Sequence, residues 1–379
     1  MAAPVVAPPP VVQAQPEVLE VRPDPILTSA PIILPKREIR LDAEQLRKAD
    51  LARSLMDLMS SGGSSQPQER ALATDTLLEL MPDLRGPILV TLAERVAMME
   101  APPPALVTRL ALDPDIAVCS PLLEEGLQVT DQDLIAVIAK GAADKLRLIA
   151  RRRRVTKPVS EAIAATGDHS AMLTLIRNSG AEFTSAGFML LMQSAKSHAD
   201  LLAPLCTRPD LPPHLAFELF WFAPSQLRRF LMSRFLVDSE ALGALLKVKL
   251  DITGDGGLVT PDKDSVIAAL GSLISDEPAT AYANVAACAR IYPATVARIA
   301  MDKHGEALMA LLKVMGIPRS EVTALIQEFA SGDEPLLDPS RDADEVQAIF
   351  DQLSFNKARL LLTYWDWSAA GIGPYAKKS

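Results

Sequence analysis

The chain has 379 residues, of which 49% are hydrophobic and 4% aromatic, and its formal net charge is −9. This apolar content is enough for a sizeable core, so a wholly disordered chain is excluded. The acidic balance opposes polyanions, so nucleic-acid binding would need a strong local basic patch. Abundant Leu and Ala with few aromatic residues favour packed helices over sheets, and we predict an all-α fold.

The three cysteines, Cys119, Cys206 and Cys288, lie far apart and form no CxxC pattern. We therefore expect neither a disulfide framework nor a zinc site, and a reducing compartment. The first residues lack the basic segment of a secretory signal, and prolines interrupt their apolar stretch. No apolar run approaches the roughly 20 residues of a membrane helix. These features predict a cytoplasmic protein without a membrane contact.

Composition divides the chain into segments. Residues 1–40 are Pro-rich and are predicted to be a disordered tail. Residues 41–68 are predicted to hold one amphipathic helix and a flexible Ser/Gly linker over 60–68. A possible capping box of Asp42 and Gln45 begins this helix. Its apolar positions are Leu46, Leu51, Leu55 and Leu58.

Residues 69–250 contain a repeat. A marker of one apolar residue followed by a helix-starting residue recurs at spacings of 26 to 28 residues. Thr and Asp cap helix N-termini, and Pro fits a first helical turn, so each marker predicts the start of a helix. The markers are Ala101-Pro102, Val129-Thr130, Val155-Thr156, Phe183-Thr184, Leu211-Pro212 and Val237-Asp238.

The position eight residues beyond each apolar marker residue is predicted to be buried, because five of the six residues there are branched and apolar. These residues are Arg109, Val137, Ile163, Leu191, Leu219 and Leu245. A second short helix precedes each marker, as in "DKLRLIARR". Two short helices bury their apolar faces only by stacking on neighbouring units, so we predict an α-solenoid with a period of about 27 residues.

The C-terminal third is also predicted to be helical. Residues 251–263 form a Gly/Asp loop by composition. Residues 264–379 form a C-terminal helical region without the repeat register, and we expect a separate layer of short helices. Its last helix is predicted to run without interruption over 342–367.

The stretch from "LAERVAMMEAPPPALVTRLALDPDIAVCSPLL" through "LIAVIAKGAADKLRLIARRRRVTKPVSEAIAATGDHSAMLTLIRNSGAEFTSAGF" closely resembles the bacterial domain-of-unknown-function family 2336. The resemblance covers about residues 69–250, and the ending "ARLLLTYWDWSAAGIGPY" is similar as well. It implies an all-helical, HEAT-like or leucine-rich-repeat-variant solenoid with no established activity. One departure is Arg153-Arg154, where family members often carry a Pro-Asp turn like Pro209-Asp210.

The run Arg151 to Arg154 is the one marked basic cluster. Aligning the Val155 and Leu211 markers places Arg152 over Arg208, at a helix end and the turn that follows. Such a position predicts helix capping and solvent exposure. If the helix continues through Arg154, then Arg147, Arg151 and Arg154 share one basic side. Arg147, Arg151, Arg152 and Arg154 are therefore the candidate partner-binding residues, for an acidic partner or a phosphate-bearing ligand.

Two other stretches are candidate sites. The segment 251–262 places Asp251, Thr253, Asp255 and Asp262 at positions 1, 3, 5 and 12 of an EF-hand loop, but position 12 is normally Glu, and Pro261 stiffens the approach. An interdomain loop is the preferred interpretation. Trp365, Asp366 and Trp367 suggest a HEAT-like DNA glycosylase groove, yet aromatic residues near a chain end commonly pack into a core.

Catalysis has no visible site in the sequence. The histidines His169, His198, His214 and His304 show no metal-ligand spacing, and no GxSxG, Walker A, GxGxxG or HExxH pattern occurs. The stretch from Phe217 to Phe222 is expected to lie in the core. We expect no catalytic residue, cofactor or metal, and a non-enzymatic protein–protein interaction or regulatory scaffold. The alternative is a nucleotide-binding or nucleic-acid-binding protein that uses the basic patch from Arg147 to Arg154.

Overall fold

The computed structural model describes residues 43–60, 66–84, 86–236, 262–275, 277–332 and 334–376. Within these ranges the secondary structure is helical, and the one β contact is an isolated bridge between Val155 and Ala181. The all-α prediction is confirmed. The chain divides into two units, residues 1–47 and 48–379, and of the first unit only 43–47 are described. No helix in the described ranges combines the length and apolar character needed to cross a bilayer.

Three helices precede the repeats: α1 (Ala43–Ser60), α2 (Pro67–Leu80) and α3 (Gly86–Met98). Pro67 occupies the first turn of α2, and Gln66 and Glu69 form a capping box there. The predicted linker over 60–68 is therefore too long at both ends, because Ser60 ends α1 and Pro67 begins α2. The proposed capping residue Asp42 lies outside the described residues.

The buried face of α1 differs from the prediction. The helix is present, but Leu46, Leu51 and Leu58 are 50%, 46% and 38% exposed. The buried side chains of α1 are those of Ala49, Ala52, Met56 and Met59. This face is formed by alanine and methionine rather than leucine, so leucine spacing alone did not identify it.

Ten short helices follow in pairs. They are α4 (Pro104–Ala111), α5 (Ile116–Glu124), α6 (Asp131–Ile138), α7 (Ala143–Ala150), α8 (Lys157–Thr166), α9 (His169–Arg177), α10 (Ser185–Ser197), α11 (Ala199–Thr207), α12 (Pro213–Leu219) and α13 (Ser225–Phe235). The even-numbered helices α4 to α12 contact one another in sequence, and the odd-numbered helices α3 to α13 do the same. The α-solenoid is our interpretation of this two-row packing.

Most described markers begin a helix where the repeat predicts it. Thr130, Thr156, Thr184 and Pro212 are the N-cap residues of α6, α8, α10 and α12. The first marker is wrong by one position, since Pro103 rather than Pro102 is the N-cap of α4. The last marker, Val237-Asp238, and Leu245 lie outside the described residues.

The one-residue shift at α4 also explains the exception at Arg109. Val137, Ile163, Leu191 and Leu219 are buried as predicted, whereas Arg109 is exposed. In α4 the residue seven positions after the N-cap is Leu110, which is fully buried. Three consecutive prolines delay the helix start, because a Pro restricts the residue before it to extended conformations.

Side-chain hydrogen bonds join the N-cap residue of one even-numbered helix to the even-numbered helix before it. The N-cap Thr156 of α8 donates its hydroxyl to Asp131 of α6 at 2.8 Å. The N-cap Thr184 of α10 likewise donates to Glu161 of α8 at 2.7 Å. Both threonines therefore stabilise the packing of neighbouring units, and Thr184 also caps its own helix by accepting a hydrogen bond from the Gly187 N–H.

Backbone segments of adjacent units also meet directly. The Val155 N–H donates to the Gly180 carbonyl at 3.0 Å, and the Glu182 N–H donates to the Val155 carbonyl at 2.9 Å. A β-carbon at Gly180 would lie far inside van der Waals contact with the carbonyl oxygen of Arg153. This approach of two loops therefore requires glycine at position 180.

Seven helices form the C-terminal region: α14 (Lys263–Ser275), α15 (Pro278–Ala289), α16 (Pro293–Met301), α17 (Glu306–Val314), α18 (Arg319–Phe329), α19 (Ala343–Gln352) and α20 (Phe355–Ala370). The predicted continuous helix over 342–367 is wrong, because it is two helices. Ser354 interrupts it and caps α20 by accepting a hydrogen bond from the Lys357 N–H.

Helix α20 packs against α12, the last even-numbered repeat helix among the described residues. The Trp365 indole N–H donates to the Phe217 carbonyl at 3.2 Å. Glu218 of α12 accepts hydrogen bonds from Arg298 of α16, at 2.8 and 3.1 Å, and from the Ser368 hydroxyl at 2.8 Å. This carboxylate therefore joins three helices.

A second ionic contact connects α13 to Asp302, the C-cap residue of α16. Arg228 is 1% exposed, donates to both carboxylate oxygens of Asp302 at 2.8 and 2.7 Å, and lies over the Phe220 ring. Its Nε donates to the Ala223 carbonyl at 2.7 Å, and the buried Glu306 lies 3.5 Å away. Burying one of these charges without its partner would be costly, so the contact fixes the relative position of the two helices.

We predict that Gly180→Ala destabilises the fold by about 1–3 kcal/mol, because the added methyl forces the two loops apart. Urea unfolding monitored by circular dichroism measures this. Gly271→Ala is the matched control, since a β-carbon at that exposed position in α14 contacts nothing and alanine favours helix. A loss of stability in both variants alike would contradict the close approach at Gly180.

The hydrogen bonds of the Glu218 carboxylate predict a contribution to stability that is lost in acid. Burial would raise the pKa of Glu218, but hydrogen bonds from Arg298 and Ser368 and the charge of Arg298 hold it below its ordinary 4.5. A depressed folded-state pKa stabilises the fold above pH 4.5, and this contribution is lost as pH falls through the folded value.

We therefore expect Glu218→Gln to lose about 1–3 kcal/mol near neutral pH and to respond less than wild type to acid below pH 4.5. Urea unfolding across this pH range provides the measurement, and Glu94→Gln, at an exposed glutamate of α3, provides the control. Equal acid dependence in wild type and Glu218→Gln would show that Glu218 is not the group responsible.

Candidate functional site

The arginine run lies after a helix and not within it. Helix α7 ends at Ala150, and Arg151 is its C-cap residue. Arg152 and Arg153 lie in a bend, and Arg154 leads into the bridge at Val155. The condition that the helix continues through Arg154 is therefore not met, and the predicted helical side of Arg147, Arg151 and Arg154 is wrong.

Arg147 is separated from the others. It lies in the last turn of α7 and makes an ion pair with Asp144, one turn earlier in the same helix. Such exposed pairs contribute at most about 0.5 kcal/mol. Arg147 does not line the groove described below.

Arg152 caps the preceding unit. Its Nη1 donates to the carbonyls of Leu122 and Leu123 at 3.0 and 2.9 Å, and its Nη2 donates to the Gly126 carbonyl at 2.7 Å. These carbonyls are at the C-terminal end of α5 and in the turn after it, where few backbone donors are left, although the Leu122 carbonyl also accepts from the Gly126 N–H. Burial lowers the pKa of Arg152, and the nearby Asp131 opposes this. The predicted capping function is correct, but the capped helix belongs to the neighbouring unit.

The same contact recurs along the repeats. Arg208 donates to the carbonyls of Ile176, Asn178 and Ala181 at 2.8 to 2.9 Å, at the end of α9. Arg234 donates to the Cys206 carbonyl at 2.8 Å, at the end of α11. Each of these arginines stands three residues before a marker, as the alignment with Arg152 predicts.

An asparagine fills this function where the repeat has glycine. Gly180 occupies the position equivalent to Arg152, and the loop approach described above requires it. The Asn178 side chain instead donates to the carbonyls of Ala150 and Arg152, both at 2.8 Å. Asn178 therefore caps the end of α7. We call the four residues Arg152, Asn178, Arg208 and Arg234 the capping ladder.

A surface groove lies beside the arginine run. Its volume is about 1180 Å³, and it crosses the loops that follow α5, α7 and α9. The apolar side chains in its lining include Leu127, which is 87% exposed. Its charged lining residues are Glu124, Glu125, Asp131, Arg151, Arg152, Arg153, Arg154 and Glu182. Four carboxylates therefore face four guanidiniums.

Only some of these charges are paired. Arg154 donates to Glu182 at 2.9 and 3.1 Å, and Arg152 is committed to its carbonyls. Arg151 and Arg153 are exposed and make no ion pair within the described part of the chain, and neither do the half-buried Glu124 and the exposed Glu125. Asp131 accepts a hydrogen bond from the Thr156 hydroxyl and makes no ion pair either, so, apart from Arg152, the described groove offers two positive and three negative side chains without an ionic partner.

The other sequence candidates take structural positions or lie outside the described residues. Of the proposed calcium loop, residues 251–261 are outside, and Asp262 accepts hydrogen bonds from the N–H and hydroxyl of Ser265 at the start of α14. Trp365 and Trp367 are buried in α20. The buried Asp366 accepts from the Tyr292 N–H at 2.6 Å and from the Thr295 hydroxyl at 2.9 Å.

Two histidines that looked isolated in the sequence are neighbours. The rings of His169 and His198 lie 4.7 Å apart, and His169 Nε2 is 2.8 Å from Asp200. A separation of one repeat unit concealed this contact. Across the described ranges, no group of three or more His, Cys, Asp or Glu side chains could hold a metal ion. Burial raises the pKa of Cys206 to about 12, so its thiol stays protonated.

Sequence reasoning identified the arginines but missed the carboxylates that line the same groove. The signal was present, because Glu125 and Arg151 are separated by the 26 residues that separate the Val129 and Val155 markers. Equivalent positions in adjacent units lie side by side along one edge. Applying the repeat register to every charged loop residue would have brought Glu124 and Glu125 beside the arginine run.

Truncation of a capping arginine and of an exposed arginine should have different effects on the stability of the fold. Arg152→Ala removes charged donors from three carbonyls and should cost about 2–3 kcal/mol. Arg151→Ala alters an exposed side chain and should change stability by less than about 0.5 kcal/mol. Urea unfolding of the two variants compares them directly. Equal stability of both variants would refute the structural function of Arg152.

Residues 118–251 match the model of a family described as "Uncharacterised protein conserved in bacteria (DUF2336)". No curated protein and no solved structure matches the chain. The match includes the arginine run, the groove and the capping ladder. The predicted resemblance over 69–250 is therefore confirmed for 118–251, and the HEAT-like kinship stays a prediction. Residues 118–251 of the chain are thus similar to this bacterial family.

Proposed function

We propose that the chain is a non-enzymatic bacterial interaction protein that binds a protein partner through the groove beside the arginine run. The observation that carries this proposal is the pair Arg151 and Arg153, exposed without a carboxylate partner in the described residues, at the rim of a groove that crosses three units. The proposed compartment is the cytoplasm, on the basis of the scattered cysteines.

The composition of the groove suits a protein surface. Arginine is over-represented among residues that determine the affinity of interfaces, and the exposed Leu127 offers an apolar contact between charged neighbours. The groove walls are loops fixed by the capping ladder, so the partner would meet a preformed surface. Preformed surfaces bind with a smaller loss of conformational entropy.

The proposal of a non-enzymatic function has its own support. Asp366, the carboxylate that suggested a glycosylase, is buried and accepts two hydrogen bonds that cap α16. At the groove, no histidine or cysteine is among the lining residues. A partner-binding surface needs only the charges and apolar contact that this groove provides.

The alternative is nucleotide or nucleic-acid binding through the patch from Arg147 to Arg154, and it rests on the same unpaired guanidiniums. Glu124, Glu125 and Asp131 line the same groove and would repel phosphates. A polyanion ligand also predicts affinity that falls steeply with salt. The balanced charges favour a protein partner.

The test is affinity purification from the native host followed by mass spectrometry. We expect Arg151→Glu/Arg153→Glu to lose a protein that wild type retains, because charge reversal at an interface repels the complementary partner. Arg177→Glu is the matched control, at an exposed arginine in the last turn of α9 outside the groove. Unchanged recovery with the double variant would contradict the proposal.

A second assay separates the alternative. A labelled DNA duplex and a cyclic dinucleotide are mixed with wild type at low salt, and binding is followed by fluorescence anisotropy. No binding is expected. Binding that disappears both with added salt and in Arg151→Glu/Arg153→Glu would support the nucleic-acid or nucleotide function instead.

A further inference from the structure

We infer that the groove selects an extended peptide segment carrying a basic and an acidic side chain about three residues apart, with the basic residue over the end of α5 and the acidic residue over the end of α7. This inference rests on the proposed function and specifies the chemistry of its partner. It depends on the order of the unpaired charges along the groove.

The repeat places these charges in successive rows. We define the first row as residues 124–131 and the second row as residues 151–156, the loops that follow α5 and α7. Glu125 in the first row and Arg151 in the second are equivalent positions, 26 residues apart. The unpaired charge is therefore negative in the first row and positive in the second, where Arg153 adds to it.

The third row, residues 179–182, contributes no unpaired charge, because its Glu182 pairs with Arg154 of the second row. Leu127 adds an apolar surface to the first row, and its side chain is 87% exposed. A complementary segment would therefore present an apolar residue beside its basic one. A purely acidic segment would face Glu124 and Glu125, which would repel it.

The separation of the rows gives the spacing in the partner. Packed helices of adjacent units lie about 8–10 Å apart. An extended chain advances about 3.3 Å per residue, so it passes from one row to the next in about three residues. A helical segment would need about six residues for the same distance, at 1.5 Å per residue. The number of residues between the basic and the acidic side chain of the selected peptides therefore distinguishes an extended bound segment from a helical one.

The experiment is selection of a phage-displayed library of random peptides on the full chain, followed by anisotropy measurements with the best peptide after synthesis and labelling. We expect enriched peptides to share the basic and acidic pair at this spacing. Glu124→Lys/Glu125→Lys and Arg151→Glu/Arg153→Glu should each weaken binding about tenfold or more. The variant with all four changes should prefer the peptide whose two charges are exchanged. Arg177→Glu should bind as wild type does.

Two outcomes would overturn the inference. Selected peptides could lack the charge pair, or Glu124→Lys/Glu125→Lys could bind the best peptide as tightly as wild type. If a reversed variant fails to fold, Glu124→Gln/Glu125→Gln and Arg151→Gln/Arg153→Gln replace it, with the same direction expected. Oligoglutamate that competes as well as the best peptide would also refute the charge order.

The result is separable from that of the proposed function. If the host protein is lost from Arg151→Glu/Arg153→Glu but retained by Glu124→Lys/Glu125→Lys, the groove binds a partner and only the charge order is wrong. If both variants retain every host protein that wild type binds, the proposed function itself fails.

Discussion

The described repeats depend on one interaction between neighbouring units. A side chain of one unit caps the C-terminal carbonyls of a helix in the unit before it. Each short helix ends with unpaired carbonyls, and stacking would bury them without donors. A guanidinium satisfies this requirement well, because its planar fork reaches several carbonyls at once, as Arg152 and Arg208 do. Where Gly180 is required for loop contact, Asn178 provides the donors instead.

This constraint divides the arginine run into two functions. Arg152 faces inward and stabilises the stack, whereas Arg151 and Arg153 face outward and carry charge that no described carboxylate neutralises. The run resembles a phosphate-binding motif, but Arg152 has a structural function and only its neighbours offer charge at the surface. Arg151 and Arg153 lie on a loop that Arg152 holds in place, and preorganised binding sites need such support. The carboxylates of the adjacent unit add negative charge to the same groove.

The sequence was informative wherever the repeat alone determines a position. The period predicted the helix starts and placed Arg152 over Arg208, because equivalent residues in a stack meet equivalent surroundings. Tertiary contacts determined the rest. The groove formed by Glu125 and Arg151 depends on how adjacent loops approach, and the break at Ser354 depends on a cap within a strongly helical stretch. Local helix propensity could not reveal that break, since single capping residues decide it.

The reactivity of individual arginines in the folded chain tests the division of the run most directly. Brief treatment with a dicarbonyl reagent such as phenylglyoxal, followed by tandem mass spectrometry, reports which guanidiniums are accessible. Arg151 and Arg153 should react quickly, while Arg152 and Arg208 react only when urea unfolds the chain. Uniform reactivity of Arg151, Arg152 and Arg153 in the folded protein would contradict the capping of one unit by the next.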